Sequence, residues 1–247
     1  MKTRPKVSFK EVHDKYELPK SVIDQIDTLI ALVNSNIDWV RDPRDFVLRR
    51  VNEALLNKVP PFGFDAKDTY RRRIGVKRVL TTEEGKLCDL VQALVDQCKN
   101  IDEVNKVRAT IFERFMYIIK QKEFGRAYLN VNVLVNGVEV ENDGYKTADI
   151  AVDLLDIKDY LELSECCLTI GALENKMHRQ FGFYTKCFKE IRSVVTKATK
   201  LKFLLLVAHS GGRRNWNNVI FDISSLRQNS VGLRGCNLLD NTEEDLI

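Results

Sequence analysis

Residues Thr147–Lys176 read TADIAVDLLDIKDYLELSECCLTIGALENK, and the way this stretch folds decides the architecture of the rest. Two apolar runs, Ile150–Leu155 and Cys166–Leu173, flank a charged, turn-like middle, which is the pattern of a β-hairpin with a long loop. A symmetric register sets Asp149, at the head of the first strand, across from Glu174 at the end of the second; cross-strand neighbours lie about 5 Å apart. Glu174 and Lys176 alternate with Asn175 on one strand and so share a face. The expected result is a pair of carboxylates and an ammonium converging at one end of the hairpin.

Such a trio has a chemical use. Two carboxylates with water make a hard, oxygen-rich site that suits Mg²⁺, or Mn²⁺ in its place. The ion lowers the pKa of a bound water and polarises a phosphoryl oxygen. A lysine beside it can orient that water or offset charge that develops in the transition state.

Asp149, a spacer, then Glu174-Asn175-Lys176 closing an apolar strand resembles the signature of the PD-(D/E)XK nuclease superfamily. The resemblance runs from roughly Glu113 to Ser224, about half the chain, with Ala148 where that family often has proline. In layout it is similar to the stand-alone Crinkler-like and restriction-like modules. It implies an α/β fold, with a mixed-sheet, restriction-endonuclease-like core behind a helical N-terminal region. It further implies Mg²⁺- or Mn²⁺-dependent hydrolysis of phosphodiester bonds, in DNA first of all. Asp149 and Glu174 would hold the metal and Lys176 would position the attacking water. The family often draws another carboxylate from the preceding helix, and Glu113 is the candidate here, on a face with Ala109, Met116 and Tyr117. Gln180 stands where relatives often place a polar residue that holds a water or a phosphate oxygen. Two alternatives stay open: a nuclease fold that has lost catalysis and binds nucleic acid or a protein partner, and a surface hairpin whose charges are solvated.

Charge distribution points the same way. Between His178 and Arg214 there are nine basic residues against one acid, Glu190, while the whole chain carries only +4. Lys186, Lys189, Arg213 and Arg214 lie in this stretch and are the candidate backbone-gripping residues for a polyanion. Arg71-Arg72-Arg73 with Lys77 and Arg78 forms a second cluster. The glycines of His209-Ser210-Gly211-Gly212-Arg213-Arg214 permit close approach of a phosphate, but the spacing is not that of a P-loop.

At 247 residues, 44% hydrophobic and 30% charged, the chain has the composition of a globular protein with ample core. Its first residues, MKTRPKVSFKEV, lack the apolar stretch of a secretory signal, and the longest apolar run, Phe203–Ala208, is too short to span a bilayer. No membrane partner is expected, and a homodimer is compatible with the layout. The six cysteines show no CxxC spacing, the usage of a reduced, intracellular protein of cytoplasm or nucleus. No HExxH, GxSxG or GxGxxG motif is present, which argues against a His-ligated metal hydrolase, a serine hydrolase and a dinucleotide fold.

Along the chain, residues 1–18 read as irregular. Helices are expected over about 21–34, 43–57 (Asp42 as cap, Pro43 at its first position), 81–98 (a Thr81–Glu84 capping box) and 102–122. Residues 62–80 read as loop and basic connector. Strands are expected over 128–135 and 138–140, joined by the Asn136-Gly137 hairpin turn, then 201–208 and 219–223. Phe181, Tyr184, Phe188, Ile191 and Val195 recur at helical spacing after the hairpin. The expected division is a helical region over 1–100, the nuclease-like core over 101–235, and a flexible acidic tail over 236–247.

Overall fold

Turn chemistry at Asn136-Gly137 acts as the sequence requires. Both residues have positive φ, 54° and 79°, the left-handed pair of a tight hairpin turn. That turn joins β2 (Ala127–Val135) to the short β3 (Val138–Glu139). A computed structural model describes residues 7–12, 15–35, 37–39, 42–55, 58, 60–74, 79–169, 177–209, 231–237 and 242–245. Among the described residues no helix is long and apolar enough to cross a membrane.

The chain divides into two compact units, Tyr16–Arg114 and the combination of Met1–Lys15 with Phe115–Ile247. The larger unit is mixed α/β. Its eight-stranded sheet adds β1 (Val7–Glu11), β4 (Thr147–Leu154), β5 (Tyr160–Thr169), β6 (Lys200–His209), β7 (Val231–Asn237) and β8 (Thr242–Asp245). Strand order is β1-β2-β4-β5-β6-β7-β8, with β3 paired to β2. The β5–β6 and β6–β7 pairs are parallel and all others antiparallel, so the sheet is mixed.

One face of the sheet is covered by α8 (Met177–Val194). Phe181, Tyr184, Phe188 and Ile191 are buried there against Leu161, Leu163, Leu201, Phe203 and Leu205, which is the apolar stripe expected from their spacing. Phe203 carries the contact, with its ring 4.7 Å from that of Tyr184 and 5.7 Å from that of Phe181. On the other face, Tyr117 and Phe124 of α6 (Ile101–Phe124) pack on Ala127, Val152 and Leu154. β6 is buried on both faces, as its unbroken apolar run requires.

The smaller unit is helical: α1 (Lys20–Val33), α2 (Pro43–Asp45), a π-helical stretch Phe46–Arg50, α3 (Val51–Leu55), α4 (Ala66–Ile74), α5 (Thr82–Asp96) and the first half of α6. Asp42 caps α2 by accepting from the Arg44 N–H at 2.9 Å. The expected capping box is complete at α5: Thr81 Oγ1 accepts from the Glu84 N–H at 3.2 Å, and Glu84 Oε2 accepts from the Thr81 N–H at 2.9 Å. Thr81→Ala is therefore expected to lower stability by about 1 kcal/mol in urea denaturation, with Thr81→Ser close to wild type.

Four expectations change. Residues 7–11 are an edge strand rather than irregular chain. Residues 66–74 form α4, anchored by buried Tyr70, where a connector was expected. Thr242–Asp245 pairs with β7 instead of trailing as a free acidic tail. Most consequential, the hairpin is tighter than its composition suggests: only α7 (Leu155–Lys158) and Asp159, with φ 50°, separate β4 from β5, which starts at Tyr160 rather than near Cys166. The strand expected at 219–223 lies outside the described residues.

Candidate functional site

The hairpin register decides which residues meet. β4 and β5 pair Leu154↔Tyr160 through Ile150↔Ser164. Continued one step beyond that last pair, the register sets Asp149 level with Glu165, where the sequence expects Glu174. The symmetric register fails because the turn is short and the charged segment Tyr160–Glu165 is itself strand. Glu174 and Lys176 lie outside the described residues, as do Arg213 and Arg214.

Asp149 and Glu165 project to the α8 face, where Ala151, Leu163 and Cys167 of the same parity join the core. Both are buried, Asp149 at 0% and Glu165 at 4% exposure. A buried carboxylate needs hydrogen bonds or a cation. Asp149 Oδ2 accepts from the Cys166 N–H at 2.7 Å, and Oδ1 forms a close ion pair with Lys15 Nζ. Glu165 Oε1 accepts from Gln180 Nε2 at 2.7 Å. Glu165 Oε2 lies 2.8 Å from the Tyr184 hydroxyl, which is also 3.0 Å from the Ser164 carbonyl oxygen. The single phenolic proton favours the charged acceptor.

Electrostatics keeps these donors protonated. Burial, then the charges of Glu165 and Asp149, push the Tyr184 phenol well above its ordinary pKa, so it stays a donor. The Cys167 thiol, on the same face of β5 as Glu165, is likewise raised by burial first and by the two carboxylates second. It is a packing thiol, not a thiolate ligand or nucleophile.

Lys15, Asp149, Glu165, Gln180 and Tyr184 line a cavity of about 240 Å³. Its remaining wall comes from Gly144, Tyr145, Lys146 and Thr147, together with Phe183 of α8. The wall is shaped by a tight turn in which Asp143 (φ 50°) and Gly144 (φ 80°) are both left-handed, closed by paired hydrogen bonds between Asn142 and Tyr145. Lys186 ties the turn to α8 by donating to the Glu141 carbonyl at 2.7 Å. Gly182 lets the two approach, since a Cβ there would lie 2.8 Å from Asn142 Nδ2.

Five of the expected site residues are among those described. Asp149 and Gln180 converge on the cavity, with the Gln180 amide held by Glu165. Lys186 and Lys189 are exposed on α8. Glu113 belongs to the helical unit, where it is buried rather than solvated and accepts from the Tyr16 hydroxyl at 2.7 Å. Glu165, Tyr184 and Lys15 were not singled out for the site in the sequence. Leu161, Leu163 and Glu165 alternate along one strand face, a signal that would have found Glu165; nothing local marks Lys15.

A hard divalent ion fits this donor set in part. Mg²⁺ is commonly held by one or two carboxylates, with waters or substrate phosphate completing six oxygens. Among the described residues no group of three Asp, Glu, His or Cys side chains is close enough to hold a metal by itself. Among the described residues, Asp149 and Glu165 would be the carboxylate share. Gln180 Oε1 is buried with no hydrogen-bond partner among the described residues, an acceptor suited to a metal-bound water. Compared with known proteins, the chain matches no family model and no curated protein.

Proposed function

We propose that this protein is a divalent-metal-dependent phosphodiesterase that cleaves nucleic acid, DNA in the first instance, from a restriction-endonuclease-like core. The carrying observation is that Asp149 and Glu165, buried at 0% and 4% exposure, come from the adjacent strands β4 and β5 and line one cavity. The order of elements also supports the reading: α6, the antiparallel β2, β4 and β5, then α8 leading into β6 parallel to β5.

In this reading Asp149 and Glu165 hold Mg²⁺ or Mn²⁺, and Glu165 takes the part that the sequence offered to Glu174. The bound ion would supply a low-pKa water and offset charge on the phosphoryl group. The protein's own part is orientation. The Cys166 N–H fixes the Asp149 carboxylate, while Gln180 and Tyr184 fix that of Glu165. Lys186 and Lys189, exposed on α8, provide sequence-independent attraction for the phosphate backbone.

Supercoiled plasmid, linear duplex and single-stranded DNA, each with Mg²⁺, Mn²⁺ or chelator, provide the test. Metal-dependent cleavage is expected, falling about 10²–10³-fold or more in Glu165→Gln and Asp149→Asn with the thermal transition retained. No metal-dependent cleavage of any of these substrates, or cleavage that persists in both variants, would overturn the proposal. Salt-sensitive DNA binding without cleavage would favour a binding module built on the same fold.

A further inference from the structure

We infer that Lys15, carried in by the segment after β1, is the cavity's working ammonium, placed to meet the phosphate that the carboxylate pair acts on. The inference rests on the phosphodiesterase reading above. Its starting point is where the cation comes from. On β5 the position beyond Glu165 on the same face is Cys167, a buried thiol that carries no positive charge. The described counter-charge to Asp149 is Lys15, from a segment distant in sequence.

Its delivery is built into the sheet. β1 pairs with β2 from Val7↔Val135 to Glu11↔Val131, and the Val12 N–H continues the ladder to the Asn130 carbonyl at 2.7 Å. Asn130 falls between Leu129↔Ile150 and Val131↔Ala148, so it stands opposite Asp149. It has φ 49°, a left-handed conformation inside a strand. The irregularity thus sits beside the acid and holds the chain just ahead of Lys15.

Burial separates Lys15 from the other lysine of the cavity. Lys146 is half exposed (52%) and its Nζ lies 3.7 Å from Glu139 at the rim. The Lys15 side chain is 24% exposed and reaches inward to a carboxylate that is wholly buried. An ammonium on a flexible stem is a point charge that can change partners. With Asp149 engaged by a divalent ion, Lys15 can turn to a non-bridging phosphate oxygen and stabilise charge as the bond breaks.

Single-turnover cleavage in saturating Mn²⁺ is measured for wild type, Lys15→Met, Lys15→Arg, Lys146→Met, Lys176→Met and Glu165→Gln, beside Mn²⁺ affinity by calorimetry and thermal melting. Lys15→Met is expected to slow the cleavage step about 10²-fold. It should bind Mn²⁺ as tightly as wild type or tighter, because a competing cation has left Asp149. Lys15→Arg keeps the charge and the fold but recovers only part of the rate, and Lys146→Met changes it less than about 3-fold. A wild-type rate in Lys15→Met, or a slow rate accompanied by lost Mn²⁺ binding or a collapsed melt, would overturn the assignment; so would a Lys176→Met loss that Lys15→Met does not share. A Lys15→Met enzyme at full rate beside an inactive Glu165→Gln sinks this inference alone. A wild type that cleaves nothing sinks the phosphodiesterase reading and this with it.

Discussion

Lys120→Ala is expected to destabilise the α/β unit by about 3–5 kcal/mol, the range for stripping one partner from a buried ion pair. Glu162 points to the face of the sheet opposite the cavity and is 0% exposed. Its Oε1 lies 2.9 Å from Lys120 Nζ, and its Oε2 accepts from the Tyr160 hydroxyl at 2.5 Å. Lys202 Nζ is 3.9 Å from Oε2, on a side chain 27% exposed, so it offsets little of the loss. Removing the lysine would also forfeit its placement 5.3 Å over the Phe124 ring. Replacing the pair together, Lys120→Met with Glu162→Leu, is expected to fall within about 2 kcal/mol of wild type, because both desolvation penalties go with the attraction. Urea denaturation of the two single variants and the double variant closes the cycle. A Lys120→Ala loss below about 1 kcal/mol would mean that water or Lys202 takes the place of Lys120 beside Glu162.

Asn130→Val should cost about 2–3 kcal/mol, whereas Asn130→Gly should stay within about 0.5 kcal/mol of wild type. The left-handed φ of 49° is tolerable for asparagine, free for glycine and severe for a β-branched residue. The side chain contributes little to offset this, since Asn130 Oδ1 is buried without a hydrogen-bond partner among the described residues. The backbone matters more, because the Asn130 carbonyl receives the Val12 N–H. If valine relaxes the strand to regular geometry instead, the Val12 N–H should show faster hydrogen exchange. Equal stability of the valine and glycine variants would argue that the conformation carries no strain.

Local signals in the sequence read well where the stabilising partner is also local. The Thr81–Glu84 box, the Asp42–Pro43 start and the Asn136-Gly137 turn each involve residues within one turn of chain, and each forms as expected. The α8 stripe likewise depends only on spacing. β5 was misjudged because Glu162 and Glu165 made Tyr160–Glu165 look like solvated loop. Both are buried by partners distant in sequence, Lys120 for the first and Gln180 and Tyr184 for the second. Burying an acid in a strand is a tertiary decision, and no window of ten residues contains it. The change of register follows directly, and it brings Glu165 level with Asp149. β1 was missed for a related reason: VSFKE has too few apolar positions to call a strand, and its partner begins well over a hundred residues later. α4 is harder to read because, over 66–72, its first alanine and Tyr70 are the deeply buried residues, which leaves little periodicity.

The pairing of Glu11 with Val131 has a kinetic consequence. A nascent chain presents Val7–Glu11 well before its partner, because the strand that receives it leaves the ribosome only after the whole of Tyr16–Arg114 has been made. The helical segment can collapse on its own nearby contacts while the early strand waits, since loop closure over such a span is slow. The seam that brings Lys15 to the acids therefore knits after the contacts inside the helical segment. Until β2 and β4 have followed the helical segment, Lys15 has no Asp149 to meet.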